Sequence, residues 1–364
     1  MQLISIAAVK EDMVLGKTIW NDAGHPLLQE GATITSRIIQ RLEQLNIQYI
    51  YVDTALSKGI EIEETVSVSV RNRAVKDIKQ SFDVVRNSQG KNVAFVLEKQ
   101  AQLLCSQIDE LIAILSSSEE ALTVLSDAFL YDEYIYQHSF QVALYSLAIA
   151  QEMHYNAEEM KIIGLGALLH DIGKIAVPHS ILQKPGKLTD DEYEQMKEHA
   201  RYGFELLRNL YSVPLLVAHC AFQHHERLDG SGYPRGITEK DIHPYAKIVA
   251  VADVFDALSS NRVYRSKLLP VECLAIIEEG SGVSFDKKVV EALKRSVVHY
   301  PNGTIVRLND ARVGIVVRQN TTLPLRPNLR IFEEQGERLK ATYELNLLQA
   351  PQVKIMTTEP EYIL

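Results

Sequence analysis

EMKIIGLGALLHDIGK, residues 159–174, is the stretch on which the reading of the chain turns. Its apolar residues recur at three- and four-residue intervals, so it reads as a helix, and IIGLGALL within it is apolar enough to be buried. The run ends on His170-Asp171. A carboxylate buried there without a partner is costly, so the doublet calls for something that binds it.

Outward from this helix the same periodicity continues. LLCSQIDELIAIL, FQVALYSLAIAQEM, KIVAVADVFDALSS and VECLAIIEE all carry it, and the chain from Asn92 to about Ser296 is strongly helical. Pro178, Pro185-Gly186, Pro214, Gly230 to Gly236, Pro244 and Pro270 divide the helices. Before this region, residues 1–56 read as a small α+β unit. VLGKTIW and HPLLQEG are strands about a turn at Asn21 to Gly24, SRIIQRLEQL is a helix and IQYIYVD a strand. Residues 57–99 are polar, then weakly helical, and suit a linker or helical connector. Residues 299–364 alternate as TIVRLND, RVGIVVRQ, LRIF, YELNLL and QVKIM, a small all-β unit. The expected class is mostly α, with the helical unit at 100–298.

Composition narrows the function classes. The chain has 364 residues, enough for two or three domains, and its 46% hydrophobic and 23% charged content is that of a soluble globular protein. No run approaches the roughly 20 apolar residues that span a bilayer. The N-terminus MQLISIAAVKEDM lacks a basic start. A cytoplasmic protein without membrane insertion is expected. Cys105, Cys220 and Cys273 form no CxxC pair and read as reduced, mostly buried thiols. A net charge of -9 argues against general nucleic-acid binding, although cations in a site would still admit a small anionic substrate.

Most histidines fall between His138 and His243. His138, His170-Asp171, His199, His224-His225 and Asp253 are ligand types for borderline divalent metals such as iron, manganese, nickel or zinc. Five imidazoles and two carboxylates exceed the needs of one ion and fit two, one carboxylate bridging. Paired cations about 3.5–4 Å apart recur in phosphate-ester cleavage, where they activate the nucleophile and clamp phosphoryl charge. Lys174, three residues after Asp171, reaches the same mouth to neutralise a phosphate oxygen, and Arg262 and Arg265 are candidates for the same task. His154, His179, His219, His243 and His299 read as surface or hydrogen-bonded core residues.

HDIGK (170–174), HHERLDGSGYP (224–234) and ADVFDALSSNRVYRSK (252–267) resemble the HD-GYP branch of the HD-domain phosphohydrolases. DEYIYQHSFQVALYS (132–146) is similar to that family's opening metal helix, and GVSFDKKVVEAL (282–293) to its closing helix. The resemblance covers about residues 100–298. It implies a helical bundle with metals at its centre and hydrolysis of cyclic di-GMP to pGpG or GMP. It implies that His138, His170, Asp171 and Asp253 hold one metal, and that Asp171 bridges to a second held by His199, His224 and His225. Asp171 and Lys174 are then the catalytic pair, with Lys174, Arg262 and Arg265 on substrate, while Gly232, Tyr233 and Pro234 are motif residues. Iron or manganese is the expected metal, with nickel or zinc also suited. Some members carry a glutamate four residues before the first histidine that recruits a third metal; Tyr134 stands there, so two metals are expected. Implied partners are cyclic di-GMP and diguanylate cyclase proteins, with room for a homodimer. The alternatives are an HD hydrolase of another nucleotide and a non-catalytic cyclic di-GMP-responsive adaptor.

Overall fold

A computed structural model describes residues 1–20, 25–62, 64–87, 93–117, 134–184, 186–260, 268–320 and 322–363. The turn expected at Asn21 to Gly24 lies outside them. In the first unit β1 (Gln2–Ser5) pairs antiparallel with β4 (Tyr49–Val52), and β2 (Ile19–Trp20) with β3 (Pro26–Leu28). Between β3 and β4, α1 (Ser36–Gln44) starts where the Thr35 hydroxyl accepts a hydrogen bond from the Ile38 N–H. Ile4, Leu15, Ile34, Leu42 and Val52 are the buried centre of this unit.

The middle of the chain is a helical bundle. Its elements are α2 (Val68–Asn87), α3 (Val93–Ser117), α4 (Tyr134–Glu152), α5 (Ala157–Leu169), α6 (His179–Leu182), α7 (Asp190–Lys197), α8 (His199–Leu207), α9 (Leu215–Gln223), α10 (Pro244–Ser259), α11 (Pro270–Glu279) and α12 (Lys287–Ser296). Local chemistry fixes their starts. Asn156 and Glu159 form a reciprocal capping box on α5, as Thr189 and Glu192 do on α7, and α10 opens with Pro244 after the His243 cap. Helix α4 is central: it packs on α2, α3, α5, α10 and α12.

The stretch 57–99, expected to connect, contributes α2 to this core. Ala74, Val75, Ile78, Phe82 and Val85 are buried in the same cluster as Leu104, Phe140 and Ile163. Its signal is weak in the sequence because only a narrow stripe is apolar, and Lys, Arg, Asp and Gln fill the rest of its surface.

After the bundle, β5 (Ile305–Leu308), β6 (Val313–Arg318), β7 (Asn328–Glu334), β8 (Glu337–Asn346) and β9 (Ile355–Thr358) form an antiparallel sheet in the order β8-β7-β6-β5-β9. It packs against the first unit. Ile60 is buried with Ile305, Ile315 and Phe332, and the Arg330 guanidinium donates to the Leu56 and Lys58 carbonyls at 2.8 and 2.9 Å. The two ends of the chain therefore share one flank. No helix among the described residues is long and apolar enough to cross a membrane.

Candidate metal centre

Neighbouring residues on a helix point about 100° apart, so an adjacent pair cannot serve one site from mid-helix. Both doublets stand at helix ends instead. His170 caps the C-terminus of α5 and Asp171 begins the next, tighter turn (Ile172–Ala176); His224 caps α9 and His225 follows it. His199 opens α8, His138 lies within α4, and Asp253 within α10. The turn after Asp171 must touch α8 closely. A Cβ on Gly173 would come within 1.9 Å of the His199 carbonyl oxygen and 2.5 Å of the Gly203 nitrogen, so only glycine fits.

These seven side chains converge. His138 Nε2 lies 3.1 Å from Asp253 Oδ1 and 3.7 Å from Asp171 Oδ2, and His170 Nε2 lies 3.3 Å from the same Asp171 oxygen. The other Asp171 oxygen, Oδ1, faces His199 Nε2 at 3.4 Å and His224 Nε2 at 4.0 Å. His225 Nδ1 is 3.8 Å from Asp253 Oδ2. His199, His224 and His225 make one group with metal-ligand spacing, and His138, His170 and Asp171 another. His199 Nε2 and His224 Nε2 approach to 3.3 Å. Two ligand atoms about 2.1 Å from a common cation lie roughly 3.0–3.4 Å apart. His170 Nε2 and Asp171 Oδ1 are buried with no hydrogen-bond partner among the described residues. Buried polar atoms are otherwise satisfied almost everywhere in folded proteins, so this donor set fits divalent cations.

The remaining ring nitrogens are engaged. The Nδ1–H groups of His170, His199 and His224 donate to the carbonyls of Ala167 (2.7 Å), Met196 (2.7 Å) and Ala221 (2.9 Å). His138 Nδ1 donates instead to Asp256 Oδ2 at 2.7 Å. Electrostatics set His138 apart from His199, His224 and His225. Burial holds His199 down at about 4 and keeps His224 and His225 well below the usual imidazole range, so all three are neutral. Burial opposes charge on His138 too, but Asp253 and Asp256 override it and raise the imidazole to about 9. Burial likewise works against an ionised Asp171, yet Lys174, His170 and His199 bring it well below the carboxylate range; His138 and His225 do the same for Asp253. The carboxylates are anionic, and they attract a cation as they attract the proton on His138.

Lys174 lies on the tight turn after α5. Its Nζ donates to Asp171 Oδ2 at 2.5 Å, and its side chain is about a quarter exposed. The loop from Glu226 to Ile237 closes one side. A Cβ on Gly232 would meet the His225 oxygen at 2.4 Å and the Arg227 nitrogen at 2.5 Å. This contact brings the Tyr233 ring to 4.5 Å from His225, and the Tyr233–Pro234 peptide is cis. Arg262 and Arg265 lie outside the described residues.

An HD domain model matches residues 111–289, and a model described as a KOW domain associated with HD domain matches residues 305–360. A cyclic di-GMP phosphodiesterase of Pseudomonas aeruginosa is 31% identical over 341 residues, which covers 86% of this chain and 80% of that protein. This chain belongs to the HD-GYP family. A second relative, a cyclic di-GMP phosphodiesterase of Thermotoga maritima, is 40% identical over 247 residues, 66% of this chain and 64% of that one. A 3'3'-cGAMP-specific phosphodiesterase of Vibrio cholerae is 39% identical over 165 residues, 45% and 36% of the two chains. HD domains are metal-dependent, in keeping with the buried His/Asp cluster of this HD-GYP chain.

Three residues of the HD-GYP site escape a reading by residue type. Asp256 is buried against His138, and Gly173 admits the close approach of α8. Glu226 is buried within the loop, where its two oxygens accept the backbone N–H groups of Arg235 (2.9 Å) and Ile237 (3.1 Å). The available signals were spacing alone: Asp256 one turn after Asp253, and Glu226 directly after the histidine doublet. Of the histidines read as ordinary residues, His243 caps α10 and His299 donates to the Lys294 carbonyl.

Proposed function

We propose that this chain hydrolyses cyclic di-GMP at a centre of two divalent cations, and that residues 100–298 are the unit that does so, between modules at 1–56 and 299–364. One observation carries the reading: the two oxygens of a single buried carboxylate, Asp171, face two separate imidazole groups. The substrate follows from the Pseudomonas relative, whose similarity runs through most of both chains. His138, His170, Asp171 and Asp253 would hold one cation, and His199, His224 and His225, with Asp171 shared, the other. Imidazole and carboxylate suit Fe(II) or Mn(II), and also Ni(II) or Zn(II). When bound, such a pair activates water for attack on phosphorus and offsets charge on the phosphoryl oxygens.

The chain's own residues prepare that step. The Nδ1 bonds to Ala167, Met196 and Ala221 hold three imidazoles in the tautomer that turns Nε2 inward. Lys174 holds an ammonium beside Asp171 and partly in solvent, in reach of a phosphate oxygen that enters the mouth. Tyr233 covers His225, and Glu226 fixes the loop that carries it.

The test is anaerobic incubation of the protein, loaded with Mn(II) or Fe(II), with cyclic di-GMP and chromatography of the products. Metal-dependent pGpG or GMP, absent for Asp171→Ala, is expected. The Vibrio relative gives a second reading, hydrolysis of 3'3'-cGAMP, and the same assay with that nucleotide separates the two. Metal uptake without turnover of either would point to a binding role, with diguanylate cyclases as the partners to test.

A further inference from the structure

Three of the inward-facing histidines are oriented by their own backbone. His170, His199 and His224 stand at or just beyond helix C-termini, and each donates Nδ1–H to a carbonyl three residues earlier. Those carbonyls belong to last turns, where helix geometry leaves acceptor capacity unused. His138 has no such resource. It lies inside α4, where carbonyls are consumed by the helix ladder, so its ring must be oriented from another element.

We propose that Asp256 is the positioning residue for His138. One oxygen, Oδ2, accepts the His138 Nδ1–H at 2.7 Å; the other, Oδ1, accepts the Ser260 hydroxyl at 3.0 Å. Both oxygens are therefore engaged on the side of the ring away from Asp171 and Asp253, and Asp256 is not itself a ligand. The bond holds Nδ1–H on Asp256, which aims Nε2 at the space beside Asp253 Oδ1 and Asp171 Oδ2. A carboxylate also makes the imidazole a stronger donor than a carbonyl does. Asp253 and Asp256, three residues apart on α10, thus act together: the first toward the cation, the second through the ring of His138. Asp256 is only 1% exposed. A buried carboxylate adds little stability over a well-packed apolar side chain, so fold stability alone gives no reason for a charge there.

The inference rests on the metal centre proposed above, and its test separates the two. Mn(II) affinity of the full chain is measured by competition with a chromophoric chelator for the wild type, Asp256→Asn, His138→Ala and the double variant. Thermal melting of the metal-free proteins is followed in parallel. Asp256→Asn is expected to weaken Mn(II) binding about 10- to 100-fold, and in the His138→Ala background to have no further effect, because it acts through that ring. Equal binding by the wild type and Asp256→Asn, or losses that add in the double variant, would overturn the proposal and leave the metal centre standing. A wild type that binds no Mn(II) would overturn both. Should Asp256→Asn fail to fold, Ser260→Ala decides: a weaker loss that vanishes in the His138→Ala background supports the role, and unchanged affinity rejects it.

Discussion

On one side of Asp171, His199 and His224 find that residue's Oδ1 as their nearest carboxylate oxygen, at 3.4 and 4.0 Å, and burial keeps their imidazoles neutral. On the other side, His138 has Asp253 at 3.1 Å, Asp171 at 3.7 Å and Asp256 behind it, and its imidazole rises to about 9. The first side is assembled from helix ends and is electrically spare. The second draws on mid-helix residues of α4 and α10 and gathers negative charge. The contrast teaches that the first side meets Asp171 at His199 and His224 and Asp253 only at the edge, 3.8 Å from His225, whereas three carboxylates gather around His138, so the sides should differ in how firmly they keep a cation and in what disrupts them.

The largest effect is expected where the sides meet. Asp171→Ala should empty both, with Mn(II) per chain near zero by elemental analysis and turnover down by about 10³-fold or more, since the proposed pair would supply several kcal/mol of charge stabilisation. Next come the one-sided variants. His224→Ala and Asp253→Ala should each lower bound Mn(II) from two ions to one, with turnover down about 10²-fold or more. Stepwise chelation of the wild type should release the His199/His224/His225 side first, and simultaneous release would break the comparison.

Smaller effects belong to the loop that leans on the neutral side. Gly232→Ala forces a Cβ against the His225 carbonyl, so the backbone must shift; turnover should fall roughly 10- to 100-fold with metal content kept. Glu226→Gln keeps an acceptor but loses the charge that holds the Arg235 and Ile237 N–H groups. It should cost about 1–2 kcal/mol of stability by denaturant titration and raise KM a few-fold with little change in kcat.

What the sequence disclosed follows the same physics. His170-Asp171 and His224-His225 are conspicuous because polar doublets end apolar runs, and no soluble core tolerates them without partners. The helices α3, α4, α5, α10 and α11 are conspicuous because they are rich in apolar residues, which the core they build requires. Helix α2 is less conspicuous, because its apolar stripe is narrow and the rest of its surface is polar and charged. Asp256 is silent for a different reason. In ADVFDAL it reads as one more polar turn of a helix, and only the crossing of α10 with α4 puts it behind His138. Gly173 and Glu226 likewise take their meaning from long-range approaches, to α8 and to a loop up to eleven residues away. Ligand types are local information, whereas the groups that orient them are tertiary.

The most direct measurement is anomalous diffraction at the manganese edge from crystals of the Mn(II)-loaded chain. The account predicts two peaks, one against His138, His170 and Asp253 and one against His199, His224 and His225, with Asp171 between them. A single peak, or manganese bound away from Asp171, would contradict it.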